Sequence, residues 1–484
     1  MLLKELLKDI YPGPLPRGPK GSSRHIAAVG CDSRTTEKDS LFVALKGTKQ
    51  DGTQFIDQAI KKGACVVASS HLPEKRPADV VFLHVDDPHK FLREITRRFY
   101  GPLSSKVRSI GITGTNGKTT ITYLVESILH EAGKTCGVMG TVNYRIGKKV
   151  LPSKNTTPGL VENQQFLASL AEKNVEYCVM EVSSHGLDQG RVELIDFKSA
   201  VFTNLTSDHL DYHRTRENYF LAKARLFTGL SARGVSVINV DDPYGVKLVS
   251  MTGSRVVKYG ISAGADICAK DIKTSVDESH FIIHAHGQTI AIRTKLIGSH
   301  NVYNILAAVG VCLNEGIAPD VISRGIARLE HVPGRLERIE SPKGFAVFVD
   351  YAHTEDALKN VLGALRQIKP KRIITVFGCG GDRDKTKRPK MGRVAGQLSD
   401  VVIVTTDNPR SEDPQSIISE IIYGFSTDNY QVVADREKAI ETAIGLAERG
   451  DVVLIAGKGH EDYQIFKDRT ISFNERKIVE KYLR

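Results

Sequence analysis

The sequence predicts an α/β protein of three domains, on three observations. Short apolar runs alternate with helix-like segments along most of the 484 residues, the pattern of parallel sheets covered by helices. That length exceeds one ordinary core and favours two to four domains. Two stretches of linker composition, "GPLSSK" at 101–106 and "VPGRLERI" from about 332, divide the chain into 1–103, 104–332 and 333–484.

The first elements follow from local patterns. In "MLLKELLKDIYPG" apolar residues fall at 2, 3, 6, 7 and 10, a short amphipathic helix. Its acidic residues and lack of a long apolar run argue against a signal peptide and a membrane span. From 26 to 99, "LFVAL", "ACVVAS" and "VVFLHV" read as strands and "HKFLREITRRFY" as a helix. "VRSIGIT" is a buried strand leading into "GITGTNGKTT". Behind it Ile121, Leu124, Val125, Ile128 and Leu129 keep helical spacing until Gly133 stops the helix. "EYCVMEV", "SAVFTNL" and "GVSVINV" are further strands with helical segments between them. Residues 265–297 alternate instead, as an antiparallel hairpin turning near Gly287. In the last part "FAVFVDYAHT", "RIITVFGCGGDRD", "DVVIVTTDNPR" and "DVVLIAGKGHED" each run from an apolar strand straight into a polar loop. Ligands of open α/β sheets bind beyond the carboxyl ends of strands, so these four loops are candidate ligand sites.

Composition narrows the function. Hydrophobic residues at 41% and charged residues at 25% describe a soluble globular chain. A net charge of +11 invites nucleic acid, but the basic residues are spread out and not interleaved with aromatics. Small polyanions such as nucleotides fit that balance better. The seven cysteines are scattered, without a CxxC pair, as expected of reduced thiols in a cytoplasm.

The glycine loop is built for phosphate. A strand, a glycine loop and a helix let backbone N–H groups and the helix N-terminus surround phosphate oxygens. Lys118 reaches for the terminal phosphates and Thr119 offers a hydroxyl to Mg²⁺. The strict motif wants glycine where Ile112 stands; here the glycines lie at 111, 114 and 117. Such a loop serves a motor, a switch, a kinase or the activation of a carboxyl group alike. Glu181 and His209 end strands and are candidate metal ligands. His280, His284 and His286 lack a clustered cysteine or carboxylate and read as a solvated hairpin face. In "VSSHGLDQGRV", Ser183, Gln189 and Arg191 suit either a carboxylate-bearing substrate or an ordinary hydrogen-bonded loop.

Ten stretches then stand in one order: "GITGTNGKTT", "NTTPG", "MEVSSHGLDQGRV", "TNLTSDHLDYH", "SHNVYNILAA", "PGRLERI", "DYAHTEDAL", "GGDRDKTKRPKMG", "DNPR" and "GKGHEDYQ". Together, from about residue 26 to 475, they resemble the Mur ligases, the ATP-dependent ligases of peptidoglycan precursor synthesis. The resemblance implies a small α/β uridine-binding domain, then a central P-loop ATPase-like parallel sheet with an antiparallel β subsheet. A Rossmann-like C-terminal domain for an amino acid completes it.

The resemblance also implies residue roles. ATP would lie on Gly114, Thr115, Asn116, Gly117, Lys118, Thr119 and Thr120, with Asn301, Arg335 and Asp350 as adenine, phosphate and ribose contacts. Ser33, Thr48, Lys49 and Gln50 correspond to uridine-binding positions; Thr156, Thr157, Ser183, Gln189 and Arg191 correspond to those holding a UDP-muramoyl dipeptide. Thr119, Glu181 and His209 would serve two Mg²⁺ ions. Lys223 aligns with a lysine that the family carbamylates with CO₂ (N6-carboxylysine), which turns a cation into an anionic oxygen donor. Lys118, Lys223, His209 and Glu181 make up the implied catalytic set. Arg383, Asp407, Asn408, Pro409, Arg410, Gly457 and Glu461 correspond to the amino-acid pocket. Relatives with "DNPR" add meso-diaminopimelate, whose distal carboxylate an arginine fork binds bidentately.

The implied substrates are UDP-MurNAc-L-Ala-D-Glu and meso-diaminopimelate, joined through an acyl phosphate by a cytoplasmic monomer without nucleic acid or membrane insertion. A motor or switch, a different carboxylate–amine ligase and a nucleic-acid binder are the competing readings.

Overall fold

The structure, a computed structural model, describes residues 1–14, 21–47, 50–147, 149–262 and 264–484. Packing divides the chain into two compact units: Met1–Ser109 with Pro158–Cys178 and Gly186–Asp196, and Ile110–Thr157 with Val179–His185 and Phe197–Arg484.

In the first unit, among the described residues, four parallel strands lie in chain order: Ala28–Gly30, Ser40–Val43, Ala64–Ser69 and Val81–His84. The amphipathic start forms the helix Leu3–Leu7, whose Leu3, Leu6 and Leu7 are fully buried against this sheet. A five-residue helix is unstable alone; each buried leucine offsets that by ~1.5–3 kcal/mol. The helix Pro88–Tyr100 opens on a proline, with Asp87 accepting the Lys90 N–H at 2.9 Å, and buries Phe91, Leu92 and Ile95. Val161, from the helix Leu160–Glu172, joins the same core.

Among the described residues a sheet of eleven strands, most of it in the second unit, has Arg108–Thr113 between Phe197–Phe202 and Tyr177–Glu181. Beyond Phe197–Phe202, the strands Val235–Asn239, Arg255–Gly260 and Ile267–Thr274 continue in parallel. Ser279–Ala285 and Gln288–Thr294 then add the antiparallel hairpin. Its turn is His286 and Gly287, both at positive φ (+49° and +78°), as a two-residue hairpin loop requires. His280, His284 and His286 are exposed there, on the solvated face that the alternation predicts.

The last sheet runs in the order Glu337–Ile339, Ala346–Asp350, Val452–Ala456, Ile373–Phe377, Val401–Val404 and Tyr430–Val432; its first strand is antiparallel and the others are parallel. The four strands that sequence runs into polar loops are its central ones, so those loops emerge at one edge. One reading is corrected here. "VPGRLERI" is no plain linker, because Glu337–Ile339 pairs with Ala346–Asp350 and buries Glu337 and Ile339. Three residues are too short for alternation to stand out. The hairpin Tyr463–Ile465 with Thr470–Ser472 is likewise not evident from the sequence.

Candidate active site

The phosphate loop is held open by two glycines. Gly114 and Gly117 have φ of +145° and +91°. A Cβ on Gly114 would stand 1.7 Å from Thr203 Oγ1, and one on Gly117 would stand 2.3 Å from Asn304 Oδ1. Neighbouring side chains brace the loop: Thr203 Oγ1 donates to the Asn116 carbonyl (2.6 Å), and the Asn116 N–H donates to Asn204 Oδ1 (3.0 Å). The helix Lys118–Glu131 starts at its end and directs its N-terminus at the loop. Gly133, at φ +70°, ends that helix as the pattern predicts.

Two lysines meet on one carbonyl. Lys118 Nζ donates to Gly114 O (2.9 Å) and Thr115 O (2.8 Å), and Lys223 Nζ donates to Gly114 O (2.8 Å). Lys223 lies on the helix Arg216–Thr228 and is only 2% exposed, 4.4 Å from the Tyr219 ring. Burial pushes both ammonium groups below their ordinary value, and Lys223 well below. Glu181 pulls Lys118 back up, while Lys118 pushes Lys223 further down.

Hard oxygen donors gather beside the loop. Thr119 Oγ1 donates to Glu181 Oε1 (3.0 Å), and the Thr141 N–H and hydroxyl donate to Glu181 Oε1 and Oε2 (2.8 and 2.9 Å). Glu181 is 1% exposed, so its charge needs these partners. Thr141 Oγ1 lies 3.0 Å from Thr156 Oγ1; Thr157 Oγ1 donates to the Glu181 carbonyl and Ser183 Oγ (2.9 and 3.1 Å). The "NTTPG" turn is thereby tied to the strand end at 181–183. His209, in a left-handed conformation, stands edge-on to His185 at 4.7 Å. Desolvation pushes its imidazole down to about 4, against the upward pull of Asp208. Among the described residues no three His, Cys, Asp or Glu are grouped to hold a metal. A buried carboxylate and a hydroxyl at the phosphate loop nevertheless fit Mg²⁺, which takes few protein ligands and keeps waters.

At the far side, Asn301 donates to the Ile297 carbonyl (2.8 Å) and its Oδ1 accepts from Asn304 (3.0 Å). Arg335 Nη2 donates to Thr119 Oγ1 (3.2 Å), its guanidinium lies 4.8 Å from the Tyr351 ring centre, and its buried Nε has no partner among the described residues. Asp350 is buried and accepts the Leu336 and Ala352 N–H groups (2.6 and 2.7 Å); burial holds its carboxyl above the ordinary value. All three line one cavity of about 520 Å³ with Thr115, Asn116, Gly117, Lys118, Thr119, Thr120, Thr156, Glu181, Ser183 and His209. Asp356 Oδ2 closes its rim by accepting from Asn116 Nδ2 and Thr206 Oγ1, both at 2.9 Å.

A second cavity, of about 1110 Å³, shares a wall with the first: Thr141, Thr156, Asp208, His209, Tyr351 and His353 line both. Its outer part is lined by Arg383, Asp407, Asn408, Arg410, Gly457 and Glu461, drawn from three of the strand-end loops. Arg410, at φ +53°, donates through Nη1 to Gly381 O (2.7 Å), and Asn408 Nδ2 donates to Glu461 Oε2 (2.9 Å). Pro409 is buried beside this lining.

The remaining expected residues belong to the first unit or lie outside the described residues. Ser33 is buried and donates to Gln58 Oε1 (2.7 Å), and Gln50 is exposed. Arg191 donates through Nε and Nη2 to Gln189 Oε1 (3.0 and 2.6 Å), and its carbonyl accepts from Asn163. Thr48 and Lys49 lie outside the described residues.

Sequence reasoning passed over Thr141, Asp208, Tyr351 and His353. Tyr351 and His353 sit in the strand-end loop "DYAHT", where that topology marks ligand contacts. Thr141 follows the strand Cys136–Met139 with no chemical signature of its own.

Comparison with known proteins identifies the family. Residues 25–100 match a family model described as "Mur ligase family, catalytic domain", 112–312 match "Mur ligase middle domain", and 334–459 match "Mur ligase, glutamate ligase domain". The UDP-N-acetylmuramoyl-L-alanyl-D-glutamate–2,6-diaminopimelate ligase of Syntrophomonas wolfei is 43% identical, over 100% of this chain and 98% of its own. The ligase of the same name from Geobacter metallireducens is 45% identical, over 99% and 98%. A solved structure of a ligase of that name is 32% identical with a TM-score of 0.69, covering 100% of this chain and 99% of its own.

Proposed function

This chain belongs to the Mur ligase family, and from that premise we propose that it joins meso-diaminopimelate to UDP-MurNAc-L-Ala-D-Glu at the expense of ATP. One observation carries the reading: a phosphate-loop cavity and a cavity bearing Arg410 and Glu461 share a wall. An activated carboxyl group formed in one is therefore within reach of an amine held in the other.

A D-glutamate side-chain carboxylate attacks the γ-phosphorus of ATP, the bond to the β-phosphate oxygen breaks, and ADP leaves. The amine of diaminopimelate then attacks the acyl-phosphate carbonyl; inorganic phosphate departs and the amine loses a proton. Lys118 offsets the repulsion between carboxylate and triphosphate and aligns the attack. Thr156, Thr157 and Ser183 hold the dipeptide end, with Gln189 and Arg191, while Ser33, Thr48, Lys49 and Gln50 take the uridine end. Asn301, Arg335 and Asp350 complete the nucleotide site. Thr119, Glu181 and His209 would hold Mg²⁺, which supplies charge neutralisation on the phosphates when bound.

Lys223 is the residue to be carbamylated: its neutral amine adds to CO₂, an N–C bond forms and a proton leaves. Its burial beside a second ammonium supports this, since the anion replaces cation–cation repulsion with attraction to Lys118. In the second cavity Arg410 and Arg383 take the distal carboxylate, and Glu461 takes the distal ammonium, within a wall formed by Asp407, Asn408, Pro409 and Gly457. Lysine would leave Arg410 without a carboxylate partner.

The reading keeps the division at 1–103, 104–332 and 333–484, and it places a monomer acting on small molecules in the cytoplasm. Among the described residues no helix is long and apolar enough to cross a membrane. The test supplies ATP, Mg²⁺ and UDP-MurNAc-L-Ala-D-Glu with a panel of amino acids, measuring phosphate release and product mass. Release with lysine but not diaminopimelate would overturn the role of Arg410. ATP hydrolysis without any acceptor would favour a motor or switch.

A further inference from the structure

Behind the wall of the second cavity lies a cation that does not itself line it. Lys458 is 0% exposed. Its Nζ donates to Asn408 Oδ1 (3.0 Å) and Glu461 Oε2 (3.2 Å), and it stands 5.6 Å from the Tyr463 ring centre. Both acceptors do line the cavity.

The geometry determines which way the Asn408 amide points. Its Oδ1 faces two donors, the Ile465 N–H (3.0 Å) and Lys458 Nζ, so the oxygen must lie on that side. Its Nδ2 is thereby directed to Glu461 Oε2 at 2.9 Å. Both bonds to Glu461 fall on Oε2, which leaves Oε1 as the oxygen for a ligand ammonium. Without the buried cation, the Ile465 N–H alone would orient the amide, and Glu461 would lose the charge that offsets its own desolvation. A sealed ammonium is expensive, and a packed apolar side chain would serve a purely structural role at least as well.

We infer that Lys458 is a positioning residue of the amino-acid pocket, locking the Asn408 amide and reserving one Glu461 oxygen for the incoming amino acid. The inference rests on the reading of Arg410 and Glu461 as the amino-acid site. Its test compares Lys458→Met and Lys458→Gln in the full chain, measuring KM for meso-diaminopimelate, KM for ATP, kcat and the thermal midpoint. Lys458→Met raises KM for diaminopimelate at least about tenfold, whereas kcat and KM for ATP stay within about twofold. Lys458→Gln keeps a donor for Asn408 and recovers part of the loss; it also carries the test should the methionine variant not fold. An unchanged KM for diaminopimelate overturns the proposal, as does an equal decline in every parameter or the unfolding of both variants. Arg410→Ala separates the two failures. If it raises KM for diaminopimelate where Lys458→Met does not, only the role of Lys458 falls. If it leaves that KM unchanged, the pocket reading itself falls.

Discussion

Gly114→Ala puts the phosphate loop to a direct test. Its φ of +145° lies where only glycine is at ease, and forcing a side chain there costs about 1–3 kcal/mol. The new Cβ would stand 1.7 Å from Thr203 Oγ1, far inside contact distance. Either Thr203 swings away or the loop moves. If Thr203 moves, its 2.6 Å bond to the Asn116 carbonyl goes, a further ~0.5–1.5 kcal/mol. Together these amount to about 1.5–4.5 kcal/mol, a large part of the ~5–15 kcal/mol that holds a typical protein folded. If the loop moves instead, the Gly114 carbonyl moves with it, and Lys118 and Lys223 lose a shared acceptor. Urea denaturation followed by circular dichroism measures the first effect, and equilibrium ATP binding measures the second. We expect a lower denaturation midpoint and at least about tenfold weaker ATP binding. Thr203→Ala removes the clashing oxygen, so the alanine at 114 should cost less in that background, with a coupling of at least ~0.5 kcal/mol. A Gly114→Ala protein with unchanged midpoint and ATP affinity, or strict additivity in the cycle, would refute the reasoning.

Other outcomes follow from the same geometry. Lys118→Ala should abolish phosphate release while circular dichroism and the thermal midpoint stay near those of the parent; near-normal turnover sinks the mechanism. Arg410→Ala should lower kcat/KM for diaminopimelate by about 10–100-fold, the value of a charge-assisted fork, and leave that for lysine little changed. Equal losses on both would show that Arg410 does not select. Arg388 is fully buried and forms two 2.9 Å bonds to Glu412 and one to Glu420; Arg388→Met should destabilise by about 1.5–3 kcal/mol at neutral pH, the value of hydrogen bonds to charged groups. Those bonds hold the Glu412 carboxyl down to about 2, from an ordinary 4.5. The stability it contributes is therefore present above the ordinary value and lost as pH falls toward 2. The gap between parent and variant should narrow across that window, and a constant gap in denaturation midpoints would count against the pairing.

Patterns that live within a few residues were legible from the sequence. The phosphate loop, the hairpin turn at Gly287, the N-terminal amphipathic helix and the four strand-end loops depend on backbone conformation and on side-chain period. Both act between near neighbours. That the loops carrying Arg383, Asp407, Arg410, Gly457 and Glu461 meet at one edge was legible for the same reason, since a parallel sheet gathers its strand ends; which of their residues face one pocket came from the family resemblance. Lys223 was not. A lysine on a helix is ordinarily solvated, and only the approach of Gly114 from 109 residues away buries it. Lys458, Arg388 and Arg436 escaped notice likewise, because a buried cation is recognisable only by the acceptors that long-range folding brings to it.

Packing between distant segments shows the same limit. Chain order suggests a first domain ending at 103, yet Pro158–Cys178 and Gly186–Asp196 pack with that first unit. Nothing local to those segments announces it, because Val161 differs from any other helix residue only in the core it enters. By itself the sequence determined which loop is shaped for phosphate and which strand ends carry charge, since those follow from glycine conformations and apolar period. Only the tertiary structure decided which charges are sealed and which cavities share a wall, since desolvation depends on everything that surrounds a group.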